Sequence, residues 1–169
     1  KIEEHINFLK KNNVQIFFFI KQCHRYSPKK IKDFIIKIQT KYNINNFFLA
    51  DSLGVLNNSD IINYEKVIRA YNKNINLGFH GHDNFGNALS NSIAAINNNY
   101  KFIDCTSNGM GRSCGNTVLE LLLTNLFKKN KNKLIKELKN YEKYFKFKKV
   151  KKIKYTDIKN SIKYKYSLS

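Results

Sequence analysis

Four short β-rich segments recur along this 169-residue chain, and their spacing limits the folds that it can adopt. They cover residues 14–20, 46–50, 76–79 and 101–105, so their starts lie about 25–32 residues apart. That distance is close to the ~30 residues of a strand–helix–strand unit. An alternation of strands and helices predicts an α/β fold with a parallel sheet covered by helices.

The segments between the strands have the apolar spacing of amphipathic helices. Ser27 followed by Pro28 is a typical helix start, because the hydroxyl can cap the first turn and proline suits its first position. A second helix is expected to be capped by Ser59, a third to cover about residues 87–97, and a fourth to start at Thr117.

Polar residues follow each of the four predicted strands. In chain order they are Gln22 and His24, Asp51 and Ser52, His80 and His82, and Thr106 and Asn108. Active sites of parallel α/β folds lie at the carboxyl ends of the strands. A doubly wound sheet would concentrate its chemistry at one switch point, so polar groups after every strand favour a TIM barrel.

The His80-Gly81-His82-Asp83 segment carries the clearest chemical signal. Residues two apart in a strand point the same way, so His80 and His82 would present two imidazoles to one point. Two neutral imidazoles near a carboxylate suit a divalent first-row metal ion. The alternative is a chance His-x-His pair on a surface strand.

Two further segments could contribute to such a site. Asp51 could bond backbone amides in a tight turn, or it could face the site as an acid/base or orienting carboxylate. The glycine-rich stretch at residues 109–116 lacks the ending of a phosphate-binding loop. It is therefore a weak signal of a phosphate-binding loop, and a turn that brings Asn116 near the strand ends is an equal alternative.

Charge and cysteine content bear on location and partners. Residues 128–169 hold 16 of the 31 Lys and Arg residues but only 3 of the 12 Asp and Glu residues. Such a tail could bind nucleic acid or an anionic membrane, but its helical spacing favours solvated lysines on a helix. The three cysteines have no zinc-like spacing, and the longest apolar stretch, residues 16–20, is too short to span a bilayer. We therefore expect a reduced, cytoplasmic protein without membrane or nucleic-acid partners.

Three motifs in order resemble the carboxy-terminal half of the pyruvate-carboxyltransferase-like domain. They lie at residues 49–56 (LADSLGVL), 77–86 (LGFHGHDNFG) and 109–116 (GMGRSCGN), and the similarity covers about residues 14–127. This superfamily includes 4-hydroxy-2-oxovalerate aldolases, hydroxymethylglutaryl-CoA lyases, and isopropylmalate and homocitrate synthases. The 109–116 motif is most similar to that of the aldolase-like members.

The resemblance implies a TIM barrel that holds Mn²⁺ or Mg²⁺. Carried over by position, His80 and His82 are metal ligands, Asn116 is a ligand or near neighbour of the metal, and Asp51 lines the site with an orienting or proton-handling role. The third family ligand, an Asp beside an Arg on the first barrel strand, has no counterpart here. Residues 1–127 would then be the last four of eight βα units, and residues 128–169 a lysine-rich helical or poorly ordered tail.

The implied function is metal-dependent cleavage of a carbon–carbon bond in a 2-oxo acid through a metal-stabilised enolate. Alternatives are an acyl-CoA condensation like that of the synthases, a non-catalytic basic α/β binding module, and a truncated, inactive relative. Implied partners are the small 2-oxo acid substrate and either further copies of the chain or a partner dehydrogenase. The same resemblance makes Cys114 a packing residue, because it stands outside the frame of the lyases' catalytic cysteine.

Overall fold

The computed structural model describes residues 2–126 and, further along the chain, residues 133, 136 and 137. Strands and helices alternate through the first of these ranges. The strands are β1 (Phe17–Lys21), β2 (Asn46–Asp51), β3 (Asn76–Gly81) and β4 (Phe102–Asp104). The helices are α1 (Ile2–Lys11), α2 (Pro28–Tyr42), α3 (Asn58–Tyr71), α4 (Ala88–Asn97) and α5 (Leu119–Leu126).

The four strands form one parallel sheet whose spatial order follows the chain order, β1-β2-β3-β4. A doubly wound sheet reverses its strand order at a switch point, whereas a barrel adds each new strand on the same side. The order observed here is that of a barrel segment. The predicted α/β class and parallel sheet are therefore confirmed.

The two faces of the sheet are built differently. On the helix side, Phe47, Leu49, Leu77 and Phe79 are fully buried in the main apolar core. On the opposite face, Phe19, Phe48 and Phe102 lie in one row across the sheet, because their backbones pair in register through Gly78. A Cβ atom at Gly78 would lie 2.7 Å from the Phe48 ring, so this glycine makes room for the aromatic row.

The helix starts show how local sequence fixes these elements. Ser27 Oγ accepts a hydrogen bond from the Lys30 amide (3.3 Å), and Pro28 is the first residue of α2, as predicted. The expected cap at Ser59 is wrong. Asn57 caps α3 instead, because its side chain and that of Asp60 each accept the other's backbone amide in a capping box.

Two predictions concern the part of the chain after α5. The apolar residues that suggested a tail helix lie outside the described residues, and so does most of the predicted 128–169 segment.

Within the part of the chain that the structure describes, no helix is long and apolar enough to cross a membrane.

Candidate functional site

His80 and His82 lie at the carboxyl end of β3, and the structure brings their rings together. The ring centroids are 5.1 Å apart, with planes inclined at 77°. Both rings line a cavity of about 380 Å³ whose other polar walls are Lys21, Gln22, Ser52 and Arg112. Phe19, from the aromatic row, supplies an apolar part of the same wall.

The surroundings of His82 favour its neutral form. Burial lowers the pKa of this imidazole from its ordinary value, and the nearby His80 and Arg112 lower it further. Its Nδ1 atom is buried without a hydrogen-bond partner. A neutral ring with an unpartnered nitrogen is the form of histidine that binds metal ions.

His80 is held by a carboxylate from the neighbouring strand. Its Nδ1 atom lies 2.8 Å from Oδ2 of Asp104, and the two residues are paired in register between β3 and β4. Their side chains are 20% and 40% exposed, so the pair borders the cavity rather than the core.

Asn116 reaches the site through the glycine-rich loop. It forms an isolated antiparallel bridge with His82, an arrangement that places the two side chains on the same side. Gly111 packs against the Asn116 side chain, where a Cβ atom would lie 2.7 Å from Nδ2. The loop is therefore a turn that positions Asn116, which was one of the two alternatives left by the sequence.

The amide group of Asn116 is only partly satisfied. Its Nδ2 atom donates to the Met110 carbonyl (3.3 Å), while its Oδ1 atom is buried without a hydrogen-bond partner. Buried polar atoms usually have a partner, so an orphaned amide oxygen beside a histidine is an acceptor available to a ligand.

Asp51 lies beneath the site rather than on its wall. It is 1% exposed, and its Oδ2 atom accepts a hydrogen bond from the Leu56 amide (2.8 Å) in the turn that follows β2. Its Oδ1 atom lies 3.2 Å from Nδ1 of the buried His24, without the alignment of a hydrogen bond. This is the turn geometry of the first alternative considered for Asp51, and the acid/base role stays a prediction.

Sequence reasoning named Gln22 and Ser52 but did not single out Lys21 or Arg112, which line the same cavity. Arg112 donates a hydrogen bond to the Ser52 carbonyl (3.5 Å), while the Gln22 amide donates to Ser52 Oγ (3.0 Å). Lys21 is the last residue of β1, and its position at a strand end was the only signal in the sequence. The contact between His80 and Asp104 had no sequence signal at all, since it depends on strand register.

The donor set can be compared with the needs of a divalent ion. No group of three His, Cys, Asp or Glu side chains converges within residues 2–126 or at residues 133, 136 and 137. The available donors are instead two imidazoles and the orphaned amide oxygen of Asn116. Such mixed nitrogen and oxygen donors fit a divalent ion as a partial set, which water, substrate or another segment would complete.

Comparisons with known proteins agree with this architecture. A family model described as HMGL-like matches residues 1–154. The 4-hydroxy-2-oxovalerate aldolase of Ralstonia pickettii is 32% identical over 122 residues, and that of Pseudomonas putida is 33% identical over 122 residues. Each alignment covers 72% of this chain but 35% of the relative, so the chain spans about a third of the length of these aldolases.

A solved structure gives the same fold. The hydroxymethylglutaryl-CoA lyase of Pseudomonas aeruginosa superposes with a TM-score of 0.66, covering 95% of this chain and 58% of the lyase. At 16% identity this likeness shows the fold alone.

Proposed function

This chain belongs to the HMGL-like family of aldolases and lyases, and from that premise we propose that it forms part of a divalent-metal-dependent aldolase that acts on a 2-oxo acid. The curated relatives cited above are 4-hydroxy-2-oxovalerate aldolases, which supports aldol cleavage over acyl-CoA condensation. Because the chain covers about a third of their length, the activity is proposed for the complete barrel rather than for this segment alone.

One observation carries the proposal. His80 and His82 converge at the carboxyl end of a parallel sheet, with the orphaned Oδ1 of Asn116 on the same side. These three groups would hold the ion. When bound, a divalent cation supplies Lewis-acid stabilisation for the negative charge that develops as a carbon–carbon bond breaks or forms.

The other wall residues suit a small anionic substrate. Lys21 and Arg112 contribute positive charge to the cavity, and Arg112 donates a hydrogen bond to the Ser52 carbonyl. The aromatic surface of Phe19 keeps part of the wall apolar. A carboxylate of a 2-oxo acid would therefore be attracted to this end of the sheet.

Metal binding provides the first test. Mn²⁺ added to the parent chain, and followed by electron paramagnetic resonance, is expected to bind stoichiometrically. The double variant His80→Ala/His82→Ala should lose this binding, while His5→Ala, a histidine on α1, should keep it. Equal Mn²⁺ occupancy in the parent and the double variant would overturn the proposed site.

The reaction itself is tested in a protein that supplies the remaining strands of the barrel. We expect Mn²⁺-dependent cleavage of 4-hydroxy-2-oxovalerate, in which the hydroxyl proton leaves, the C3–C4 bond breaks to release acetaldehyde, and the remaining enolate takes up a proton at C3 to give pyruvate. Pyruvate can be followed with lactate dehydrogenase. Consumption of acetyl-CoA with a 2-oxo acid, in the absence of cleavage, would assign the condensation chemistry instead.

A further inference from the structure

We propose that Asp104 is a positioning residue that holds His80 as its Nδ1–H tautomer and so presents Nε2 to the cavity. The inference rests on the proposed function for its purpose, but its geometry does not depend on a metal. The carrying observation is the 2.8 Å contact between His80 Nδ1 and Asp104 Oδ2.

The chemistry of the two groups fixes the tautomer. An ionised carboxylate only accepts hydrogen bonds, so the nitrogen that faces it must carry the proton. In a neutral imidazole the other nitrogen then has a free lone pair. Because Nδ1 and Nε2 lie on opposite sides of the ring, Asp104 turns the lone pair of His80 away from β4 and toward the cavity that the ring lines.

The backbone explains why this contact is well defined. His80 and Asp104 are directly paired between parallel strands, and paired residues point to the same face of a sheet. The same row continues through Ala50 of β2, whose small side chain leaves space beside the His80 ring. Asp104 thus borders the imidazole on one side, and the cavity borders it on the other.

The two histidines are held by different means. His82 is placed by its backbone bridge to Asn116, and its buried Nδ1 has no hydrogen-bond partner. His80 is held instead by the carboxylate of Asp104, which lies 2.8 Å from its Nδ1 atom. An outer carboxylate that orients a ligating histidine typically changes metal affinity by about 10–100-fold when it is removed.

The test reads the tautomer directly in the metal-free chain. Two-bond ¹H–¹⁵N spectra at a pH where the imidazole is neutral should show His80 as the Nδ1–H form in the parent. In Asp104→Ala the ring should shift toward the Nε2–H form, and Asp104→Glu should restore the Nδ1–H form. Asp33→Ala, which removes an exposed carboxylate on α2, is the matched control and should leave the His80 signals unchanged.

Mn²⁺ titration of the same variants supplies the second measurement. Asp104→Ala should weaken Mn²⁺ binding by about 10–100-fold, with Asp33→Ala unchanged. A His80 tautomer that is the same in the parent and Asp104→Ala would overturn the inference. If the parent binds no Mn²⁺ but the tautomer still shifts, the proposed metal site of this chain fails while the positioning of His80 by Asp104 stands.

Discussion

The ring of Phe48 lies flat against the ring of Phe19, with centroids 4.5 Å apart and planes 2° from parallel. Phe102 continues the row at 6.1 Å from Phe48. This aromatic layer lies two residues before the row that contains His80 in each strand, on the same face of the sheet. It forms an apolar floor next to the polar cavity. TIM barrels fill their interior with such layers, so this face of the sheet has the character of a barrel interior.

The exposure of that floor predicts self-association of the chain. Phe19 is 43% exposed on an edge strand, and exposed apolar surface beside unpaired strand edges promotes association. We expect micromolar solutions to contain oligomers by size-exclusion chromatography with light scattering, and Phe19→Lys to shift them toward monomer. Phe8→Lys, at a 66% exposed position on α1, should not. A parent chain that is monodisperse and monomeric would contradict this prediction.

Gly54 is expected to be essential for the position of His82. It has a φ of +65°, and a Cβ atom there would lie 2.3 Å from the His82 carbonyl oxygen. Gly54→Ala should therefore lower the free energy of unfolding by about 1–3 kcal/mol and weaken Mn²⁺ binding, as measured by urea unfolding and titration.

Gly86→Ala separates the cost of a positive φ from the cost of contact with the His82 carbonyl oxygen. Gly86 has a similar φ of +73°, but a Cβ atom there would meet nothing within 4 Å. Its replacement should cost only the strain of placing a Cβ atom at positive φ, about 1–2 kcal/mol of unfolding free energy, with Mn²⁺ affinity retained. Equal losses of stability and affinity in the two variants would show that contact with the His82 carbonyl has no special importance.

Asp51 is expected to stabilise the turn after β2. Asp51→Ala leaves the buried Leu56 amide without its acceptor, which should cost about 1–3 kcal/mol of unfolding free energy. Asp51→Asn keeps an acceptor oxygen and should cost less. In a complete barrel, an Asp51→Asn variant with parent stability but no cleavage activity would contradict a purely structural role and favour proton handling.

Stability of the metal-free chain should fall in mildly acidic solution because of His82. Burial lowers the pKa of this group below its ordinary value of 6.5, so in the window between the two values the unfolded chain binds more protons. The contribution of His82 to the free energy of unfolding is therefore fully present above pH 6.5, and it is lost as the pH falls through the lowered pKa. Urea unfolding at several pH values in this range should give a free energy of unfolding that depends less steeply on pH in His82→Gln than in the parent. An equally steep pH dependence in the two proteins would contradict the lowered pKa.

The periodic features of the fold could be predicted from the sequence because they are local. The alternation of strands and helices and the Ser27 cap depend on neighbours within one element. His80 and His82 stand two residues apart in the chain, at the carboxyl end of β3. The cap of α3 shows the limit of that reasoning. Asn57 and Ser59 are both good capping residues, and the reciprocal bonds with Asp60 decided between them.

What only the tertiary structure decided is which distant residues share a row or a turn. Asp104 meets His80 across 24 residues because β3 and β4 pair in one register, and Asn116 meets His82 because a packed glycine turn returns to the strand end. Asp51 follows a strand like the other candidates, yet burial between the Leu56 amide and His24 removes it from the cavity wall. Register and burial arise from the packing of the whole sheet against its helices, so the sequence determined the elements and the histidine pair, while packing selected the neighbours of each histidine.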